Sequence, residues 1–408
     1  MKHSRENEVP ENRNTGRSSP KVPRSRFLRD VFLCSLGAYG GPEAHMGVFL
    51  DQMVVRRKYL DERELVELTA LCSILPGPTS TQTIVSIGYK TGGPVLALLT
   101  MAVWALPAIL VMTALSFLYR FLEAFRISTG VLRFIGPAAA GFVIAAAFRI
   151  GRKVVVDRST ALLAVIGFSA AWFVREPWVF PAVLAAGGAS MLILRREPGM
   201  WNRPEISPPW RYLLVFAVLG AGAPLLAKGT GFLLLELFED FYRYGYLVFG
   251  GGQVVVPMMF SELVEIRGFM TGQEFLTGYG LVQGVPGPMF SFASYAGGLA
   301  ARGGSPVVQF LGAAAGAAGI FLPGLLLIFF VYPVWDAVRN IRAIRIFLPG
   351  VNAVAGGMIT AAAPIMLQAA GITAVNLAAA GLTALCLVSG KVPAPIIVAV
   401  SAAAGIFL

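Results

Sequence analysis

Glycine and proline interrupt this otherwise apolar sequence at four places: Gly40-Gly41-Pro42, Pro76-Gly77-Pro78, Gly250-Gly251-Gly252 and Pro286-Gly287-Pro288. At each, a helix must stop and restart. A restarted helix exposes unpaired N–H groups and the positive end of its dipole, so the chemistry on offer is anion binding. Glycine lets that backbone approach a ligand closely, and proline at a helix start gives up no needed donor. Nearby side chains refine the ligand. Thr79, Ser80, Thr81 and Gln82 follow the first Pro-Gly-Pro, while Gln253 and Gln283 flank the later breaks. Hydroxyls and amides hold an oxyanion without a full counter-charge, which suits release as well as binding. Glu43 and His45 follow the first break at once, and His45 is the single histidine beyond the N-terminal tail. An imidazole there can attract an anion when protonated, or relay a proton with Glu43. Arg57 and Lys90 are placed to draw an anion to a cytoplasmic mouth. Taken singly, each feature has a plainer reading as a kink, an interhelical hydrogen bond or a loop anchor. Four breaks in register favour a site.

Other chemistries find little support. Cys34, Cys72 and Cys386 are isolated, without CxxC or Cys/His spacing, so neither a metal site nor a disulfide framework is expected. No GxxxxGK[ST] pattern is present, which argues against ATP drive by this chain. An intramembrane enzyme would need a nucleophile, metal or acid/base cluster that the sequence does not offer. No cofactor is expected.

The elements that must position these residues are membrane helices. Hydrophobic residues make up 56% of the chain and charged ones 13%, with a mean hydropathy of +0.71, which excludes an ordinary soluble domain. Runs such as Val95 to Leu118, Tyr212 to Leu226, Gly312 to Val331 and Ile372 to Val388 approach or exceed the ~20 residues of a membrane-crossing helix. No alternating strand pattern appears, so an all-α polytopic membrane protein is expected rather than a β-barrel. The net charge of +11 lies in loops beside apolar spans, which points to topology and not to nucleic acid.

The chain also contains a repeat. Asp30, Gly40, Gly41, Glu64, Leu71, Pro76, Gly77, Pro78, Gly88 and Gly93 fall on Asp240, Gly250, Gly251, Glu274, Leu281, Pro286, Gly287, Pro288, Gly298 and Gly303 at an offset of 210. An insertion of six then brings Leu106-Pro107 onto Leu322-Pro323 and Gly141 onto Gly357. The first connector carries Arg56, Arg57, Lys58 and Arg63, whereas its counterpart, residues 265–274, carries only Arg267. Under the positive-inside rule the two copies have inverted topology. Arg120, Arg126, Arg133, Arg175, Lys228, Arg243, Arg267 and Arg302 then fall outside, and the rest of the 33 basic residues fall in the cytoplasm. The broken segments become re-entrant hairpins or paired half-helices. Spans follow near residues 94–119, 131–149, 160–174 and 178–194, then a lone crossing at 212–227. Asp30 and Asp240 are expected to cap the half-helices.

The paired motifs Tyr39-Gly40-Gly41-Pro42-Glu43-Ala44-His45, Leu75-Pro76-Gly77-Pro78-Thr79-Ser80-Thr81-Gln82, Phe249-Gly250-Gly251-Gly252-Gln253 and Gln283-Gly284-Val285-Pro286-Gly287-Pro288 resemble the chromate ion transporter family in its long two-domain form. The family pattern has Phe where Tyr39 stands and Gln where Ser73 stands, while Gln283 keeps it. Composition, the repeat and the charge bias divide the chain into a disordered basic cytoplasmic tail at 1–26, a first transporter repeat at 27–194, a linker with one crossing at 195–230 and an inverted second repeat at 231–408, and the resemblance covers both repeats. It further implies export of chromate across a bacterial inner membrane, conferring resistance, with a cytoplasmic N-terminus. Sulfate is the related or competing anion, and a sulfate permease or a channel is the alternative function. The expected partners are chromate, sulfate, the lipid bilayer and a second copy in a homodimer.

Overall fold

The computed structural model describes residues 23–125, 129–174, 176–197, 200, 207–249, 255–339 and 341–407. Among these every regular element is helical. The first repeat opens with α1 (Arg24–Gly37), breaks at Gly40 and Gly41, and resumes as α2 (Pro42–Phe49). A π-helical stretch, Leu50–Arg56, continues it. Then come α3 (Glu62–Ile74), the Pro76-Gly77-Pro78 break, α4 (Thr79–Ser116), α5 (Leu118–Ala124), α6 (Ile135–Val154), α7 (Arg158–Phe173) and α8 (Val179–Leu194). A linker helix, α9 (Trp210–Thr230), leads to the second repeat. That repeat comprises α10 (Leu233–Tyr246), α11 (Val256–Phe260) with its own π-helical stretch Ser261–Ile266, α12 (Gly272–Gly284), α13 (Phe292–Ala300) and α14 (Pro306–Val331). It closes with α15 (Trp335–Val338), α16 (Arg342–Ala370), α17 (Ala374–Ser389) and α18 (Ala394–Phe407).

Local chemistry explains why the elements recur. Asp61 and Glu64 form a capping box at the start of α3, and Thr271 and Glu274 form one at the start of α12. Each reciprocal cap satisfies two orphan backbone donors and fixes where its helix begins. The chain leaves both π-helical stretches for a left-handed residue, Lys58 at φ 54° and Gly268 at φ 61°. Gly92 and Gly93, the latter at φ 74°, kink α4 where the second repeat has the turn between α13 and α14.

Among the described residues, five helical segments are long and apolar enough to cross a membrane: Thr79–Ser116, Gly130–Val154, Trp210–Thr230, Pro306–Val334 and Arg342–Ala370. The expected crossing at 212–227 lies within α9. The apolar run from Ile372 to Val388 is 17 residues long, falls almost wholly within α17, and is too short to be counted with these five. Gly371 (φ 90°) and Gly390 (φ 70°) bound α17 at 16 residues, a rise of about 24 Å against a hydrocarbon core of roughly 30 Å.

The repeats interlock. A Cβ at Gly141 in α6 would lie 2.5 Å from the carbonyl oxygen of Ala380 in α17, and one at Gly357 in α16 would lie 1.8 Å from that of Ala164 in α7. Both pairs join equivalent positions with the copies exchanged. Small residues thus let backbones meet across the two halves, as membrane helix packing requires.

Asp30 and Asp240 do not cap half-helices. Each is fully buried inside its helix and paired with the arginine that follows the π-helical stretch: Asp30 with Arg57 at 2.8 Å, Asp240 with Arg267 at 3.5 Å and, more closely, with Arg243 of its own helix at 2.8 Å. Tyr59 adds a hydrogen bond of 2.6 Å to Asp30. Glu64 pairs likewise with Lys90, and Glu274 with Arg302. Every acid that recurs in both copies therefore fastens the two arms of one broken hairpin. A carboxylate buried at this depth is held by its partner, so removing one member strands the other. Asp30→Ala is expected to destabilise the protein by about 2–4 kcal/mol, whereas Asp51→Ala, which breaks a well-exposed pair with Arg56, should cost under about 1 kcal/mol. Thermal unfolding of both variants in detergent checks this, and equal losses would contradict it.

Candidate functional site

The two Pro-Gly-Pro breaks are joined to the other copy by exchanged backbone bonds. Gly77 N–H donates to the carbonyl of Val248 at 2.8 Å, and Gly287 N–H donates to that of Ala38 at 2.8 Å. Val248 stands just before the glycines of the second repeat, as Ala38 does before those of the first. Each Pro-Gly-Pro is therefore tied to the residue two positions before the paired glycines of the other copy, the pattern a two-fold relation produces. Both glycines need backbone that other residues avoid, with φ of 134° at Gly77 and 114° at Gly287.

At this junction lies a small void lined by His45, Pro78, Thr79, Ser80, Thr81, Pro288, Met289 and Phe290. Gly40 (φ 80°) and Gly41 (φ 93°) turn the chain so that α2 starts at Pro42, and its first turn closes by His45 N–H on the Gly41 carbonyl. His45 is thereby carried inward and is 1% exposed. Its Nδ1 lies 2.9 Å from the Ser80 hydroxyl, while Nε2 has no hydrogen-bond partner. Ser80 sits in the first turn of α4, whose start at Pro78 is capped by no side chain. An uncapped helix start, hydroxyls and an unpartnered imidazole nitrogen thus share one cavity. A buried polar nitrogen that the protein leaves unpaired is costly, which marks Nε2 as the ring atom free to meet a ligand.

Trp104, deep in α4, organises this wall. Its Nε1–H donates to the Thr81 hydroxyl at 3.2 Å, and its ring stands edge-on to His45 at 5.4 Å and to Phe49 at 5.2 Å. Ser35 of α1 donates to the Trp104 carbonyl at 2.8 Å. Gln82 turns from the void, its Nε2 reaching the carbonyl of Pro76 at 2.9 Å and that of Gly324 at 3.4 Å. The void measures about 10 Å³, room for about one water, so an oxyanion enters only when the walls part.

Of the residues singled out in the sequence, Pro78, Thr79, Ser80, Thr81, His45 and Pro288 line the void, and Gly40, Gly41, Pro42, Pro76, Gly77, Pro286 and Gly287 form the breaks that shape it. Gln283 lies buried at the end of α12 and is not part of the lining. Arg57 and Lys90 are engaged in their hairpin ion pairs. Gly250, Gly251, Gly252 and Gln253 lie outside the described residues, as does the side chain of Glu43. Trp104, Met289 and Phe290 escape sequence reasoning, because a tryptophan in a lipid-like run and an apolar pair after Pro288 look like ordinary membrane-helix residues. Only the polar N–H of Trp104, which needs a buried partner, hints at more. Among the described residues no cluster of histidine, cysteine and acids could hold a metal.

Comparison with known proteins agrees with the motifs. A chromate transporter family model matches residues 26–192 and again 235–406. The chromate transport protein of Pseudomonas aeruginosa is 29% identical over 351 residues, covering 83% of this chain and 78% of its own length. The probable chromate transport protein of Synechococcus elongatus is 26% identical over 383 residues, covering 93% and 94%. That of Cupriavidus metallidurans is 28% identical over 344 residues, covering 84% and 81%. No solved structure gave a significant match. With one family model matching each half, and with those halves tied together at their shared breaks, this all-helical membrane protein belongs to the chromate transporter family.

Proposed function

We propose that this protein is a secondary transporter that moves chromate, a tetrahedral divalent oxyanion, out of the cell across the bacterial inner membrane by alternating access, and so confers chromate resistance. The observation that carries this reading is the exchanged pair of backbone bonds, Gly77 to Val248 and Gly287 to Ala38, which gathers the breaks around the unpartnered Nε2 of His45. Two repeats of inverted topology, meeting at broken helices near the midplane, can rock about such a junction and expose it to each side in turn. A void too small for the anion fits an occluded conformation of that cycle. Coupling runs either through a proton handled at Glu43 and His45 or through exchange for a second anion.

Uptake of chromate into everted membrane vesicles tests the transport reading, with sulfate compared in parallel and a proton gradient applied or withheld. Chromate entry above that of vesicles lacking the protein is the expected result, and no entry of either anion sinks the reading. Inversion has its own test. In a background freed of Cys34, Cys72 and Cys386, single cysteines replacing Arg56 and Ile266, exposed equivalents in the two copies, should react with impermeant reagents from opposite sides of the membrane. Reaction from one side only would overturn the inverted arrangement.

A further inference from the structure

The void at the centre has two chemically different walls. The first repeat supplies Thr79, Ser80 and Thr81 after its Pro-Gly-Pro, together with His45. The equivalent positions of the second repeat are Met289, Phe290 and Ser291, and Val255 stands where His45 would recur. Ser291 turns its hydroxyl back to the Pro288 carbonyl and closes its own turn. Facing the donors is therefore an apolar wall of Pro288, Met289 and Phe290. An oxyanion held there meets side-chain donors from the first repeat and only apolar side chains from the second.

We propose that this apolar wall, Met289 and Phe290 above all, is the selectivity element of the site, favouring chromate over sulfate by ease of dehydration. The proposal rests on the oxyanion reading above. Both ions are tetrahedral dianions with the same oxygens to offer, so the donor wall alone distinguishes them weakly. They differ in size: the larger chromium centre spreads the same charge over a larger ion, which water holds less tightly. Stripping part of its hydration shell against an apolar surface therefore costs less, by the same Born argument that makes any bare charge expensive in an apolar medium. Two walls of donors would compensate both ions and shrink the difference. The repeat could have supplied such a second wall, and its residues at 289 and 290 depart from the first copy at the positions that face the cavity.

The full-length protein in proteoliposomes decides the matter, with chromate and sulfate flux measured separately and in competition. Phe290→Ser, which restores the residue type of Ser80, should lower the chromate-to-sulfate rate ratio about tenfold, while Phe290→Leu should keep the wild-type ratio. A wild-type ratio in Phe290→Ser, or an equal fall in Phe290→Leu, overturns the proposal. Met289→Thr, read by the same ratio, takes its place if Phe290→Ser is not recovered folded. Wild-type protein that moves neither anion overturns the oxyanion reading itself, and this proposal with it.

Discussion

Alanine at position 45 is expected to weaken chromate binding about 10- to 100-fold while leaving the protein folded. The imidazole is buried, yet only one of its nitrogens is used inside the protein, Nδ1 against the Ser80 hydroxyl at 2.9 Å. When Ser80 donates to Nδ1, the ring proton resides on Nε2, and a neutral donor faces the void. A hydrogen bond to a charged ligand is worth roughly 1.5–3 kcal/mol, which sets the size of the loss. Two further variants separate this donor role from simple packing. His45→Gln keeps an N–H and should recover part of the affinity. Trp104→Phe keeps the edge-on ring beside His45 but loses the N–H that holds Thr81, so it should cost a smaller factor, about 3- to 10-fold. Competition binding on purified protein in detergent measures all three. A folded His45→Ala protein with wild-type affinity would remove His45 from the site. The same variant speaks to coupling, since a proton relay through His45 requires the pH profile of transport to change with it.

The second large effect is expected at the glycines of the two Pro-Gly-Pro breaks. Gly77→Ala and Gly287→Ala each force a side chain into backbone at φ 134° and 114°, a strain of about 1–3 kcal/mol apiece. Space is short as well. A Cβ at Gly77 would lie 2.4 Å from Gln82 Nε2, and one at Gly287 would lie 2.9 Å from the Ala108 Cβ. Relief of either clash pulls on the N–H that reaches across to the other copy. Each single variant should therefore lower the unfolding temperature and abolish transport, and the double variant should fail to accumulate as folded protein. Gly151→Ala and Gly381→Ala serve as controls, because both glycines are helical with open space around the would-be Cβ. They should be neutral or stabilising by up to about 1 kcal/mol. If Gly77→Ala and Gly287→Ala behave like these controls, the junction is not the hinge of the molecule.

Much of the architecture could be read from local signals. The breaks at Gly40-Gly41 and at both Pro-Gly-Pro triplets fall where the sequence places them, since proline and paired glycines act on the backbone within a residue or two. The recurrence of Asp30, Glu64, Asp240 and Glu274 correctly marked four structurally matched positions. Their task was misread for the two aspartates, because an acid a few turns before a break has the look of a cap. Choosing instead an arginine some 27 positions later depends on how the hairpin folds back.

By itself the sequence determined the helical class, the two-copy plan, the positions of the breaks and the family, because each rests on composition, spacing or recurrence along the chain. Tertiary structure alone decided which breaks meet. Gly77 is paired with Val248 and Gly287 with Ala38, partners in opposite copies that no local propensity connects. It also decided that His45 turns one nitrogen to Ser80 and leaves the other bare, that Trp104 holds Thr81, and that Met289 and Phe290 oppose a wall of donors. The physical reason is that backbone breaks are local events, whereas the chemistry of a cavity belongs to whichever surfaces the packing of two interlocked repeats brings face to face.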